Sequence, residues 1–132
     1  MSKEAKDIVK SFYETDLINS LESISEFLHS DIELSWVSSF GFSKKNFQEI
    51  VEMFSAMKKS YNTLACKINE VISEDNKVSV HYTYFGSLIE SPDKVVTIAH
   101  FMAIWEIKEG KLYKGYQISQ HGNNGPDDLT MV

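Results

Sequence analysis

The chain has 132 residues, a formal net charge of −6 and a single cysteine, with 42% apolar and 12% aromatic residues. That length suits one domain with a real core, and the acidic balance argues against nucleic acid, which needs a basic stripe to displace counterions. Lone Cys66 allows no intrachain disulfide and fits a reducing cytoplasm, while the charged first 20 residues (Lys3, Glu4, Lys6, Asp7, Lys10) read as neither signal peptide nor membrane span.

In chain order, Ala5, Ile8, Val9, Phe12 and Tyr13 recur at helical spacing and predict a helix over about 3–15. Asn19 with Glu22 forms a capping pair for a second helix running to about Leu28, with Leu21, Ile24, Phe27 and Leu28 as its apolar stripe. Asp31 to Val37 alternates, placing Ile32, Leu34 and Trp36 on one face and Glu33, Ser35 and Val37 on the other. Phe40-Gly41-Phe42 reads as a hinge. Ser43 is the predicted N-cap of a third helix that buries Phe47, Ile50, Val51, Phe54 and Met57. The basic pairs Lys44-Lys45 and Lys58-Lys59, with Glu49 and Glu52 between them, read as a solvated helical face.

From Asn62 the period changes to two. Strands are predicted at about 63–73, 76–88, 94–107 and 111–120, separated by Glu74-Asp75-Asn76, Ser91-Pro92-Asp93 and Lys108-Glu109-Gly110. Such short turns force antiparallel neighbours, and strands of this length imply a twisted, wrapped sheet. The segment 121–132, with Gly122, Gly125 and Pro126, reads as a flexible C-terminal tail beyond a single domain over 1–120.

This order of elements resembles the nuclear transport factor 2-like superfamily, in particular its SnoaL-like branch. The marks are the first-helix stripe ending in Phe12-Tyr13, the opening Asp31-Ile32-Glu33-Leu34, the Gly41-plus-helix step, the strand from Val78 to Gly86, and the hairpin Trp105 to Leu112 with its Gly110-Lys111-Leu112 close. Together they span nearly all of residues 5–120. The resemblance implies an α+β fold: three N-terminal helices on a strongly curved, mostly antiparallel sheet, a cone-shaped half-barrel of the cystatin-like α+β barrel type. It also implies one pocket that hosts unrelated functions, and a homodimer through the convex sheet face.

Alternation then sorts the strands. Val80, Tyr82 and Tyr84, then Phe101, Ala103 and Trp105, then Gly115, Gln117 and Ser119 fall on the expected concave side, facing Phe12, Trp36, Ile50, Phe54 and Met57. The candidate ligand-lining set is Phe12, Trp36, Phe54, Met57, Tyr82, Tyr84, Phe101, Ala103 and Gln117. For Phe54, Met57, Phe101 and Trp105, plain core packing is the simpler account. Tyr82, Tyr84 and Gln117 differ, because a buried hydroxyl or amide needs a partner. The expected convex side carries His81, Thr83, Ile98, His100, Met102 and Ile104, too apolar for a solvated sheet face.

The acid–base residues of the family are absent from their matching positions. In steroid isomerase relatives the resemblance would put the base near Trp36, a tyrosine at Phe12 and a protonated acid near Ala103. Tyr13 lies one residue, about 100°, off that helical phase and is not expected to substitute. In polyketide-cyclase and epoxide-hydrolase relatives an Asp would stand where this chain has Gln117, and a further acid where it has Gln120. An amide cannot take a proton at neutral pH. His29, His81, His100 and His121 share no ligand spacing, so no metal and no cofactor is expected. His81 and His100 are expected near one another on neighbouring strands, and Cys66 is expected to be an inert, semi-buried thiol. Three readings follow. One is a protein that binds a small hydrophobic molecule, apolar or aromatic, in the cone. Another is an isomerase, cyclase or dehydratase acting on a carbonyl substrate with a non-standard base drawn from His81, His100, His121 or Glu33. The third is a protein-interaction module using the apolar sheet face.

Overall fold

The structure, a computed structural model, describes residues 4–16, 19 and 21–122. Three helices are α1 (Ala5–Glu14), α2 (Leu21–Phe27) and α3 (Phe47–Ser60). Six strands are β1 (Leu28–Ser38), β2 (Gly41–Lys45), β3 (Tyr61–Glu74), β4 (Lys77–Leu88), β5 (Val96–Lys108) and β6 (Lys111–His121). They form one sheet in the order β2-β1-β6-β5-β4-β3. Every neighbouring pair is antiparallel except β1 with β6, which is parallel. This is the α+β cone expected from the sequence, with β1 closing onto the last strand.

The turns fall where the sequence places them. Asp75, Glu109 and Gly110 take positive φ of 56°, 56° and 76° in the tight β3–β4 and β5–β6 connections. Bulges bend the long strands. Asn69 is the extra residue on β3 between Ile68 and Glu70, and its side chain donates to Thr83 Oγ1 at 3.1 Å. A second irregularity lies between Tyr84 and Phe85, where Ile98 of β5 is passed over. Each bulge raises local twist and turns the flat ladder into a curved wall.

Several local expectations are corrected. Phe40-Gly41-Phe42 is not a hinge: Gly41, at φ +117°, opens β2, which pairs back on β1 from Ser38↔Gly41 to Leu34↔Lys45. Ser43 lies mid-strand opposite Trp36 and does not cap a helix. The α3 N-cap is Asn46, whose Oδ1 accepts from Glu49 N at 2.9 Å while Glu49 Oε1 accepts from Asn46 N at 2.9 Å. That reciprocal box satisfies two orphan donors at once, which Ser43 followed three residues later by Asn46 has no acid to do. Lys44 and Lys45 therefore belong to β2, apart from the helix that carries Lys58 and Lys59. Asn19 turns its side chain back to Asp16, donating at 2.9 Å, instead of forward onto α2. At the other end β6 includes His121, and Gly122 N donates to Ile98 O at 2.7 Å, so ordered pairing runs past residue 120. The rest of the expected tail, 123–132, lies outside the described residues.

The core lies between the helices and the concave sheet face. Ile8, Val9, Phe12 and Tyr13 of α1, Ile50 and Phe54 of α3, and Tyr82, Phe101, Trp105 and Gln117 of the concave face are all buried. Among the described residues no helix is long and apolar enough to cross a membrane.

Candidate functional site

The cavity sits inside the cone and is bounded by side chains from every layer. Phe12 and Tyr13 come from α1, Ile50, Met53, Phe54 and Met57 from α3, Leu28, Leu34 and Trp36 from β1, Tyr82 and Tyr84 from β4, Phe101 and Trp105 from β5, and Gln117 from β6. Eight of the nine residues proposed from the sequence line it. Ala103 is buried on the same face opposite Gln117, but it stands outside the lining.

Aromatic rings fill most of the space. Tyr82 stacks on Phe101 with centroids 4.9 Å apart and an interplanar angle of 1°, and Tyr84 meets both rings edge-on. Phe12 packs edge-on against Phe27 and Phe54. The free volume left is about 50 Å³. That is room for a water or two, against the ~300–1,000 Å³ of ordinary ligand pockets. Met53, Met57 and Trp36 are only half-buried, so they form the side of the cavity best able to yield.

Across this apolar interior runs a one-way chain of hydrogen bonds. Trp105 Nε1 donates to Tyr13 Oη at 2.8 Å, Tyr13 Oη donates to Tyr82 Oη at 3.2 Å, and Tyr82 Oη donates to Gln117 Oε1 at 2.6 Å. The direction is fixed at its foot. An amide oxygen can only accept, so Tyr82 spends its proton on Gln117 Oε1, and Tyr13, which accepts from the indole, must spend its own proton on Tyr82. Burial pushes the phenols of Tyr13, Tyr82 and Tyr84 above their ordinary range, so all three keep their protons.

Tyr13 is therefore the residue that the helical phase argument misses. It lies 100° from Phe12, yet both are buried, because α1 is covered on two sides. Phe12 meets the rings of α2 and α3, while Tyr13 lies against Tyr82 at 4.2 Å. The signal was present in the five-residue stripe, which already included Tyr13.

Two polar groups on the lining end without a partner among the described residues. The amide N–H groups of Gln117 and the hydroxyl of Tyr84 make no hydrogen bond among the described residues, although the two side chains belong to residues 6% exposed. Trp36 Nε1, by contrast, donates to Ser119 Oγ at 2.8 Å.

The candidate bases lie elsewhere. Glu33 is exposed and pairs with Lys44 at 3.6 Å. His81 and His100 are half-buried on the opposite sheet face, opposite Met102 and Thr83 respectively, and His100 Nδ1 lies 3.3 Å from Thr83 Oγ1. Thr83 itself is buried there, which its place on the expected exposed face did not suggest, because Asn69 of the bulge folds over it. His121 is exposed at the end of β6, its ring 4.9 Å from that of Phe40. His29 accepts from Asp31 N through Nδ1 and donates through Nε2 to Glu109 at 2.7 Å, which lowers the Glu109 carboxyl below its usual range. Cys66 is half-buried and burial pushes its thiol up to about 12. Among the described residues no three His, Cys, Asp or Glu side chains gather at one point.

Solved structures with this architecture are numerous, and their identities to this chain are low. IdmH from Streptomyces antibioticus, a candidate polyketide cyclase, superposes with a TM-score of 0.73 at 12% identity, over 98% of this chain and 96% of its own. The M. tuberculosis LEH-like epoxide hydrolase gives 0.71 at 15% identity, over 89% and 84%. AusH from Aspergillus nidulans gives 0.71 at 13% identity, over 92% and 86%. No curated protein matches the sequence. The sequence profile of the SnoaL-like domain matches residues 9–114. A match over most of the chain, on a three-helix cone with β1 closed onto β6, means that this chain belongs to the SnoaL-like family of the nuclear transport factor 2-like superfamily.

Proposed function

We propose that the protein binds a small apolar or aromatic molecule inside the cone. The observation that carries this reading is a pair of polar groups on buried residues, Gln117 Nε2 and Tyr84 Oη, that have no partner among the described residues and lie on a mostly apolar lining. A buried donor left unpaired costs ~1–3 kcal/mol, so such groups mark a place where a further partner is accommodated. The free volume requires that Met53, Met57 and Trp36 give way on entry, and unbranched methionines repack readily. Thermal-shift screening with steroids, polyphenols, fatty acids and terpenoids tests the reading. Stabilisation is expected for at least one class, and none across all four removes it.

Binding is favoured over acid–base turnover of a carbonyl substrate because the cavity lining offers three protonated phenols and an amide, and neither a carboxylate nor an imidazole. A reducing cytoplasm fits the single half-buried thiol.

A second observation favours association through the convex face. Val37, Met102, Ile104, Tyr116 and Ile118 are between 47% and 63% exposed. Register makes them direct neighbours, with Met102 opposite Ile118, Ile104 opposite Tyr116 and Val37 opposite Ile118. We propose that this patch is the interface of a homodimer, compatible with an occupied cone on the other side of the sheet. Light scattering giving the mass of a single chain at micromolar concentration would exclude it.

A further inference from the structure

One end of the cone carries large apolar side chains that belong neither to the core nor to the convex patch. Phe40 is 86% exposed, Val95 66% and Ile89 55%. Phe40 sits on the β1–β2 turn, and Ile89 and Val95 on the β4–β5 turn. The strand order and directions bring both turns to the same end of the sheet, where β6 stops and β5 begins. About three strand spacings separate them, roughly 14 Å at ~4.8 Å each. We infer that this end docks on an anionic lipid bilayer, with Phe40 as one apolar prong and Ile89 and Val95 as the other.

Both turns are braced, so these side chains are held outward by the backbone beneath them. Phe40 N donates to Ser38 Oγ at 3.1 Å, and His121 N donates to Ser39 Oγ at 3.4 Å, tying the first turn to the end of β6. Gly41 supplies the φ of +117° that completes this turn. The His121 ring meets Phe40 edge-on at 4.9 Å and leaves most of the phenyl ring open. On the second turn Ile89 N donates to Ser60 O at 3.2 Å, and Ser91 N donates to Leu88 O at 3.0 Å. Folding either prong back onto the core would break these hydrogen bonds.

The arrangement suits a bilayer better than a protein partner. A stable protein interface is one contiguous, closely packed patch, whereas here Thr97, His121 and Gly122 lie between the two prongs. A lipid surface accepts separate apolar insertions, because mobile headgroups solvate the polar gap between them. Charge points the same way. Exposed Lys58, Lys59 and Lys94 stand beside the β4–β5 turn with Glu90 and Asp93, a local excess of cation on a chain of net charge −6. Trp36 and Met57, on the side of the cavity best able to yield, lie a few residues inward of these turns. The docking itself does not depend on what the cone holds.

Vesicle flotation of the full chain tests this, with phosphatidylcholine vesicles alone and with phosphatidylserine added. The protein is expected to float with the mixed vesicles, less with phosphatidylcholine alone, and less as salt is raised. Phe40→Ser combined with Ile89→Ser should lower the partition coefficient at least about tenfold while leaving the far-ultraviolet circular dichroism unchanged, since both side chains are exposed. Ile104→Ser, on the convex face, should leave flotation as it is. In the Phe40→Trp variant the indole emission should move to the blue when mixed vesicles are added. Absence of flotation with either vesicle type would overturn the docking, as would full flotation of the double variant or an equal loss in Ile104→Ser. An unmoved emission from Phe40→Trp would take the first prong out of the bilayer and overturn the two-prong contact. Equal partition into the two vesicle types would overturn the anionic surface. If no vesicle is bound and the double variant has a smaller solution mass than the wild type, this end is a contact between copies of the chain and the bilayer is the wrong occupant.

Discussion

The two faces of the sheet are built from the same strands and solve opposite problems. The concave face is aromatic and ordered by a single directed hydrogen-bond chain from Trp105 to Gln117. The convex face carries larger aliphatic side chains in the open, with Met102, Ile104, Tyr116 and Ile118 exposed beside His81 and His100. Inside, polarity is scarce, and the donors of Trp105, Tyr13 and Tyr82 are each spent within one chain. Outside, apolar surface is plentiful and the structure assigns nothing to cover it. Specificity for a small molecule belongs to the first arrangement, and association to the second.

The most damaging break in the concave side is at its head. Trp105→Ala removes a buried indole, empties a large volume and leaves Tyr13 without its donor. A loss of ~3–5 kcal/mol is expected from the truncation, read in chemical denaturation as a lower midpoint. Gly115→Ala acts on the same residue from below. Gly115 lies opposite Trp105, and an added Cβ would stand about 2.5 Å from the indole Cζ3, so the ring must shift. Overpacking of this kind costs ~1–3 kcal/mol, and Gly115→Ala should also alter the near-ultraviolet circular dichroism of the indole. No backbone strain is involved, because Gly115 has an ordinary φ.

Tyr82 and Tyr84 give a matched comparison within the concave face. Tyr82→Phe leaves the Gln117 oxygen without its donor and Tyr13 without its acceptor, so ~1–3 kcal/mol of destabilisation is expected. Tyr84→Phe deletes a hydroxyl that bonds to nothing among the described residues, and should be neutral or slightly stabilising. Equal losses in the two variants, measured by urea unfolding, would show that the hydroxyls are not distinguished by the chain.

How much of this was legible in the residues depends on the range of the signal. Period-two alternation is local and unambiguous over strands of 11 to 14 residues, so the inward placement of Tyr82, Tyr84, Phe101 and Gln117 followed from parity alone. β2 was not legible, because five residues, Gly41–Lys45, with two lysines at the end look like a loop until β1 is there to pair with. The buried state of Thr83 depended on a bulge at Asn69 in another strand, which no pattern within β4 encodes. Tyr13 was obscured by treating its helix as having one buried face, when contacts on two sides bury a wider arc. The chain of hydrogen bonds was the least legible feature, since it joins residues from 35 to 92 positions apart.

The comparison also predicts how the two faces respond to pH. Tyr13, Tyr82 and Tyr84 all have phenols raised by burial, so their folded values stand above the unfolded value of about 10. Below that pH both states hold these protons and the contribution to stability is complete. Above it the unfolded chain ionises while the folded one does not, so protons bound in the native state exceed those in the unfolded state and stability falls as pH rises. Each phenol contributes up to ~1.4 kcal/mol per pH unit to that fall. Cys66, its thiol raised by burial from an ordinary 9.0 to about 12 in the fold, adds to the same trend. Denaturation midpoints should therefore decline steeply beyond about pH 10, and phenolate absorbance from these three tyrosines should appear together with loss of helical circular dichroism. Tyr82→Phe removes one of the three phenols and should make the decline shallower by one proton. Phenolate absorbance from Tyr13 or Tyr84 in the still-folded protein would mean that water reaches the concave face freely, and that the contrast between the two faces is smaller than their burial implies.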